Sequence, residues 1–226
     1  MAAILGEGPE IAIGSRASVD FRELATSQSA ELIVIFPSAF DPFVIREYHI
    51  LGMILKPQDV VVLLKLVSLD DRHFAYAPLS KALHMSASEV HAAVARAATA
   101  QLYSPTSRTP MRRNLEEFLL HGVRYCFPAQ WGTKTRGMPT AYAANPLREH
   151  IASGDGLPPV WEYAHGIVEG LSVTPLYRSV PQAASDDSRL YDLLSLVDAL
   201  RIGRARERRL AGDLLSARLR QPAVSV

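Results

Sequence analysis

The chain has little of what would place it in several common classes of protein. Cys126 is the single cysteine among 226 residues, which excludes an intramolecular disulfide and a cysteine-rich metal site and fits a reducing, cytoplasmic location. No stretch of about 20 apolar residues is present, so we expect no transmembrane helix and no membrane partner. Lys and Arg number 24 against 23 Asp and Glu, so net charge alone does not favour a nucleic-acid partner.

Catalytic signatures are also missing. The sequence contains no P-loop, no G-x-G-x-x-G fingerprint, no G-x-S-x-G elbow and no H-E-x-x-H pair. The seven histidines are scattered, and no carboxylate cluster completes a ligand set around them. We therefore predict a protein that is not an enzyme and that holds no metal and no cofactor.

The apolar pattern divides the chain into four segments. Residues 1–52 lack helical periodicity and are predicted to be an N-terminal extension, either a mobile arm or not native. The alternative is that Leu32–Ile45 adds a strand or packs on the domain. Residues 53–144 are predicted to form one domain. Residues 145–184, rich in Pro and Gly, are predicted to be an extended connector that packs through its aromatic residues, and residues 185–226 are predicted to be C-terminal helices.

Two short helices joined by a tight turn are the sharpest feature of the sequence. A first helix is predicted from Pro57 to Val67, where apolar residues recur at helical spacing. The two shorter helices follow between Leu79 and Ala97. His84 occupies the turn, where a positive φ is needed, and Ser86 with Glu89 forms an S-x-x-E capping box that starts the second helix.

One more helix and a hairpin are predicted after this pair. Thr109-Pro110 matches the N-cap and first-turn proline of a helix that Gly122 ends. Val123–Phe127 alternates as a half-buried strand does, and Met138–Ala143 is the predicted returning strand. The polar segment Trp131–Gly137 between them is predicted to be the loop of the hairpin.

The segment Leu79–Ala97 resembles the helix-turn-helix of winged-helix bacterial transcription regulators, the MarR-like group in the broad sense. The resemblance covers about residues 57–143. It implies a winged helix-turn-helix core with a small β-hairpin. Together with the C-terminal helical segment that the apolar pattern indicates, this predicts a fold that is mainly α with a small β-hairpin. The resemblance also implies that the helix from Ser86 enters the major groove of double-stranded DNA, while the hairpin near Lys134 and Arg136 contacts the backbone or the minor groove.

Polar and basic side chains define the predicted DNA-binding surface. The outer face of the second helix is Ala-rich, a departure from the Arg, Lys, Asn or Gln that usually read bases, and it offers few donors. A phosphate bound near the two arginines at the start of the next helix would offset their unfavourable place in the helix dipole. The predicted DNA-binding residues are Ser86, Ser88, His91, Arg96, Arg112, Arg113, Lys134 and Arg136.

A long helix that Ser185 caps is predicted to follow the connector, with a break at Gly203. Its leucine-rich stripe must be covered by another apolar surface, which a second copy of the chain could supply. A homodimer with two-fold symmetry would also match two DNA half-sites. The stripe predicted as a dimer or partner interface consists of Leu190, Leu193, Leu194, Val197 and Leu200. The alternative function is an antitoxin-like or adaptor protein that binds a partner protein through these helices. The basic run Arg201–Arg209 is either the polar face of a packed helix or a nucleic-acid contact.

Overall fold

The protein is mainly helical with two small β-sheets in the computed structural model, which describes residues 54–70, 74–151 and 156–220. This confirms the predicted fold class, mainly α with a small β part. The prediction made for residues 1–52 lies outside the described residues. Among those that are described, none of the helices combines the length and the hydrophobicity that crossing a bilayer requires.

The first three helices match the predicted ones to within a few residues. They are α1 (Pro57–Ser68), α2 (Tyr76–Leu83) and α3 (Ala87–Thr99), although α2 begins at Tyr76 and not at Leu79. Pro57 occupies the first turn of α1, where its missing N–H costs no hydrogen bond. The backbone leaves α2 through His84, and the capping box of Ser86 and Glu89 starts α3.

The segment after α3 differs from the prediction. It contains β1 (Tyr103–Ser104), β2 (Thr109–Pro110), α4 (Arg112–His121) and α5 (Val123–Cys126). The prediction that Thr109-Pro110 starts a helix is wrong because both residues pair with β1, and the helix begins at Arg112. The predicted strand at Val123–Phe127 is a helical turn, since the N–H groups of Tyr125 and Cys126 both donate to the Gly122 carbonyl, each at 3.0 Å.

Three strands close into a small barrel: β3 (Trp131–Pro139), β4 (Pro159–Glu162) and β5 (Val168–Val173). Strand β3 runs antiparallel to both others, while β4 and β5 are parallel. The predicted loop Trp131–Gly137 is therefore strand. The predicted returning strand Met138–Ala143 ends at Pro139, and two 3₁₀ helices follow, Ala141–Ala143 and Leu147–Glu149. Residues 145–184 are thus not an extended connector, because they supply two of the three strands.

Three helices complete the fold: α6 (Val180–Asp186), α7 (Ser188–Ile202) and α8 (Ala205–Arg220). Asp187, not Ser185, caps α7, because its carboxylate accepts the N–H groups of Arg189 and Leu190. Gly203 follows the end of α7, as predicted. One cluster of buried side chains extends from Val60 in α1 to Leu219 in α8, so α2, α3 and the C-terminal helices share a core.

Candidate nucleic-acid interface

A tight turn joins α2 to α3, and residues 76–99, which comprise both helices and the turn, are called the helix-turn-helix below. His84 takes the left-handed conformation, with φ 52°, and its N–H donates to the Lys81 carbonyl at 3.2 Å. The N–H of Ser86 donates to the Glu89 carboxylate at 2.8 Å, and the N–H of Glu89 donates to Ser86 Oγ at 3.2 Å. This reciprocal pair fixes the residue at which α3 begins, as the sequence predicted.

Helix α3 presents one exposed face and buries the other. Val90, Ala93, Val94 and Ala97 are buried, and the helix packs on α1. The opposite side, here called the α3 face, is formed by Ser88, His91, Ala92, Ala95 and Thr99, of which all but the half-buried Ala92 are exposed. Small side chains on most of this face allow another surface to approach the helix backbone closely, and Ser88 and His91 supply hydrogen-bonding groups.

Arg96 does not belong to the α3 face. Its guanidinium forms two hydrogen bonds with the carboxylate of Asp59 in α1, at 2.8 and 2.5 Å, and both side chains are buried. The hydrogen bond to Asp59 raises the pKa of Arg96 above its usual value. The prediction that Arg96 contacts DNA is therefore wrong, because the residue joins α3 to α1 inside the core.

The hairpin that directly follows α3 is β1–β2, where Tyr103 pairs with Pro110. Arg108 lies in its turn with φ 55°, and its side chain is exposed. The predicted wing residues lie elsewhere. Lys134 and Arg136 are on β3 of the barrel, and Lys134 Nζ is 3.0 Å from the Glu169 carboxylate. The hairpin predicted over residues 123–143 is therefore not formed, because Val123–Cys126 is helical and Lys134 and Arg136 lie on a strand of the barrel.

A row of rings connects this hairpin to the α3 face. The Arg108 guanidinium lies 5.6 Å from the centroid of the Phe74 ring and donates to the Phe74 carbonyl at 3.3 Å. The Phe74 ring packs edge-on against Tyr76 at 5.5 Å, and Tyr76 contacts the His91 ring at 5.3 Å. Arg108 and His91 therefore border one continuous surface. Sequence reasoning missed Phe74 and Tyr76, although two aromatic residues at a helix start were a visible signal.

A second contact fixes the N-terminal end of α3 to the C-terminal part of the chain. The Tyr177 hydroxyl donates to the Glu89 carboxylate at 2.5 Å. This hydrogen bond and those from Ser86 lower the pKa of Glu89 to about 2. The exposed Arg178 guanidinium lies 5.8 Å from the Tyr177 ring centroid, and its charge lowers that pKa further. Arg178 is a cation beside α3 that the sequence did not identify.

The turn itself is held by the segment around α6. Ser179 Oγ donates to the Leu83 carbonyl at 2.6 Å, which satisfies a backbone acceptor at the end of α2. His84 Nε2 lies 2.9 Å from the Asp186 carboxylate. The helix-turn-helix is therefore anchored at its turn by residues about 100 positions later in the chain.

The two predicted arginines of α4 differ from each other. Arg112 donates to the carbonyl of Leu219 at 3.2 Å, so it is engaged with the end of α8. Arg113 is exposed on α4. Arg113 is therefore the more accessible of this predicted pair.

The predicted interface on α7 is inside the molecule. Its five side chains are at most 5% exposed and belong to the common core: Leu190, Leu193, Leu194, Val197 and Leu200. Helix α7 is buried on most of its circumference, so the stripe already has its partner within the chain. The assignment of these residues to a dimer or partner interface is wrong, and dimerisation itself stays a prediction.

The described ranges bring together no group of three or more His, Cys, Asp or Glu side chains that could hold a metal ion. Comparison of the chain with protein-family models, with curated proteins and with solved structures finds no match.

Proposed function

We propose that this chain is a DNA-binding transcriptional regulator that places α3 in the major groove of duplex DNA. The observation that carries the proposal is α3 itself, whose N-terminus is capped and whose outer face is exposed while its other face packs on α1. A helix presented in this way fits the width of the major groove, and its first turns reach base edges.

Two side chains on the α3 face supply the base contacts. Ser88 and His91 lie in the first two turns, where a recognition helix penetrates the groove most deeply. Ala92 and Ala95 allow the helix backbone to approach, and their methyl groups suit contact with thymine. Since donors are few, sequence-dependent DNA shape contributes to the selectivity of this helix.

Two exposed cations beside α3 and a third on α2 supply the phosphate contacts. Arg108 lies in the turn of the β1–β2 hairpin, Arg178 lies beside the N-terminal end of α3, and Lys81 is exposed on α2. The ring row from Phe74 to His91 holds Arg108 at the edge of the α3 face. Each neutralised phosphate contributes about −0.9 to the slope of log affinity against log salt concentration.

The alternative function is that of an adaptor, which would bind a partner protein through the leucine stripe of α7. The contacts described above do not favour it. The stripe is buried, so a partner protein would have to unfold the core to reach it. The exposed α3 face requires no such rearrangement.

The test is fluorescence anisotropy with a labelled duplex from the protein's own upstream region, a scrambled competitor and several salt concentrations. We expect saturable binding that survives the competitor and weakens with salt. Arg108→Ala should lower the steepness of the salt dependence by about 1, and His91→Ala should cost about 1–3 kcal/mol and relax sequence preference.

The matched control is Arg136→Ala, which removes an exposed arginine from the barrel strand β3 instead of the hairpin. Its binding should equal that of the unchanged protein. Circular dichroism of each variant confirms that the fold is retained. An absence of binding at low salt, or equal losses for Arg108→Ala and Arg136→Ala, would refute this interface.

A further inference from the structure

A cleft of about 360 Å³ lies between the α4–α5 segment and α8. Leu120, Leu200 and Gly212 contribute to its apolar lining. A Cβ atom on Gly212 would come within 3.1 Å of Leu120 Cδ2, so glycine keeps this part of the cleft open. No residue of α2, α3 or the β1–β2 hairpin lines it, so the cleft is distinct from the proposed DNA interface.

Basic side chains dominate the polar lining. Three arginines line the cleft, Arg124, Arg208 and Arg209, whereas its lining contains one carboxylate, that of Asp213. His121 and Ser216 complete the polar lining. Arg208 is fixed by donating to the Gly203 carbonyl at 2.7 Å, while Arg209 is exposed on α8. Several guanidinium groups around one cavity match the planar, bidentate geometry that phosphate oxygens accept.

An aromatic ring stands beside these cations. Tyr125 is 72% exposed, unusual for a large ring, and the Arg124 guanidinium lies 5.0 Å from its centroid. An exposed tyrosine next to arginines is a common platform for stacking a planar heterocycle whose phosphate lies on the cations. The cleft thus combines a phosphate-binding side and a ring-binding side within the size range of small-molecule sites.

We propose that this cleft binds a ligand made of a phosphate group and a planar base, of which a nucleoside monophosphate is the simplest example. Arg124 and Arg209 bind the phosphate, Arg208 adds positive charge, and Tyr125 stacks on the base. The same chemistry is presented by a free nucleotide and by the 5′-phosphorylated end of a single strand. The site does not depend on duplex binding by α3, so either proposal stands if the other fails.

Isothermal titration calorimetry of the full chain with AMP, adenosine, inorganic phosphate and a 5′-phosphorylated oligothymidylate tests the site. AMP should bind more tightly than adenosine or phosphate alone. Arg124→Gln and Arg209→Gln should each weaken AMP binding about tenfold or more, because each removes charge-assisted hydrogen bonds. Tyr125→Ala should weaken binding of AMP without changing binding of inorganic phosphate.

Arg206→Gln is the matched control, because Arg206 is exposed on the same helix and does not line the cleft. It should bind AMP as the unchanged protein does, and thermal melting verifies the fold of every variant. Tighter binding of the oligonucleotide than of AMP, still lost in Arg209→Gln, would identify the strand end as the source of the ligand. The proposal would be overturned if none of the probes saturated the protein at low salt, or if Arg206→Gln lost as much AMP affinity as the cleft variants. Adenosine binding as tightly as AMP would also overturn it.

Discussion

At the scale of single residues, the ion pair between Arg96 and Asp59 carries the clearest energetic consequence. Asp59 is fully buried and Arg96 nearly so, with two hydrogen bonds between them. Arg96→Ala should lower the free energy of unfolding by about 3–5 kcal/mol, because it leaves a buried carboxylate without its partner. Urea denaturation measures the change.

Arg113→Ala is the control for this substitution, since Arg113 is exposed on α4. Its unfolding free energy should stay within about 0.5 kcal/mol of the unchanged protein. If Arg96→Ala were as stable as Arg113→Ala and only its DNA affinity fell, the buried pair would have no structural role. Arg96 would then be assigned to the DNA-binding surface, as the sequence predicted.

The sequence did not predict the role of Arg96, because the partner of its ion pair, Asp59, is 37 positions away. The spacing of apolar residues in α3 was clear, but Arg96 lies at the border between its buried and its exposed face. A long side chain at such a border can point into the core or into solvent. The carboxylate of Asp59 decides its direction, and Asp59 itself was indistinguishable from an ordinary acid in the first turn of a helix.

Glu89 makes the stability of the protein depend on pH. Its pKa is about 2 in the folded protein and 4.5 ordinarily, so the folded state favours the ionised form. The stabilisation is present above pH 4.5 and is lost as the pH falls from 4.5 towards 2. In Glu89→Gln, the free energy of unfolding should vary less across this window, as chemical denaturation at a series of pH values would measure.

Glu117→Gln removes the same charge from the exposed side of α4, outside the contacts with Tyr177 and Ser86. Its stability should follow the pH dependence of the unchanged protein. An identical slope for Glu89→Gln and Glu117→Gln between pH 4.5 and 2 would show that the Tyr177 hydrogen bond is too weak to matter.

At the scale of elements, the sequence predicted the features that depend on residues close together in the chain. The turn at His84 and the start of α3 depend on backbone conformation and a capping box within a few residues, and both are where the sequence placed them. Strands β1 and β2 have two residues each, too few for a periodic pattern. No local signal predicts that these two short segments pair with each other. The sequence favoured a longer hairpin over residues 123–143, and that prediction is wrong.

The barrel depends on close approach of its strands at Gly137. A Cβ atom there would lie 2.0 Å from the Trp161 carbonyl oxygen on β4. Gly137→Ala should therefore force the strands apart and lower the free energy of unfolding by at least about 1–3 kcal/mol, the usual cost of overpacking. Thermal denaturation followed by circular dichroism gives the shift.

Gly156→Ala provides the comparison, because a Cβ atom at Gly156 meets nothing within 4 Å. It should leave the melting temperature nearly unchanged or raise it slightly through the lower entropy of the unfolded chain. Equal stability of the two variants would mean that β3 and β4 do not approach as closely as the structure indicates.

At the scale of the whole molecule, α7 lies within the common core of the described residues and is not an appendage. Asp198 of α7 is buried and accepts hydrogen bonds from Thr140, from Trp161 of β4 and from Arg201, at 3.0, 2.6 and 2.6 Å. The sequence suggested separate segments because the leucines of α7 are far in sequence from the helices that cover them. Only the folded chain shows that α1 and α7 bury each other.

This arrangement predicts that the helix-turn-helix and the C-terminal helices unfold together. Trp161 is 1% exposed and bonded to α7, and in a Trp131→Phe background it is the sole tryptophan of the chain. Urea transitions followed by Trp161 fluorescence and by far-ultraviolet circular dichroism should coincide, as two-state unfolding requires. Asp198→Ala should lower both midpoints by the same amount, because it leaves Arg201 without its buried partner. Two separated transitions, with only the fluorescence transition moved by Asp198→Ala, would instead show that α7 unfolds independently of the α3 face.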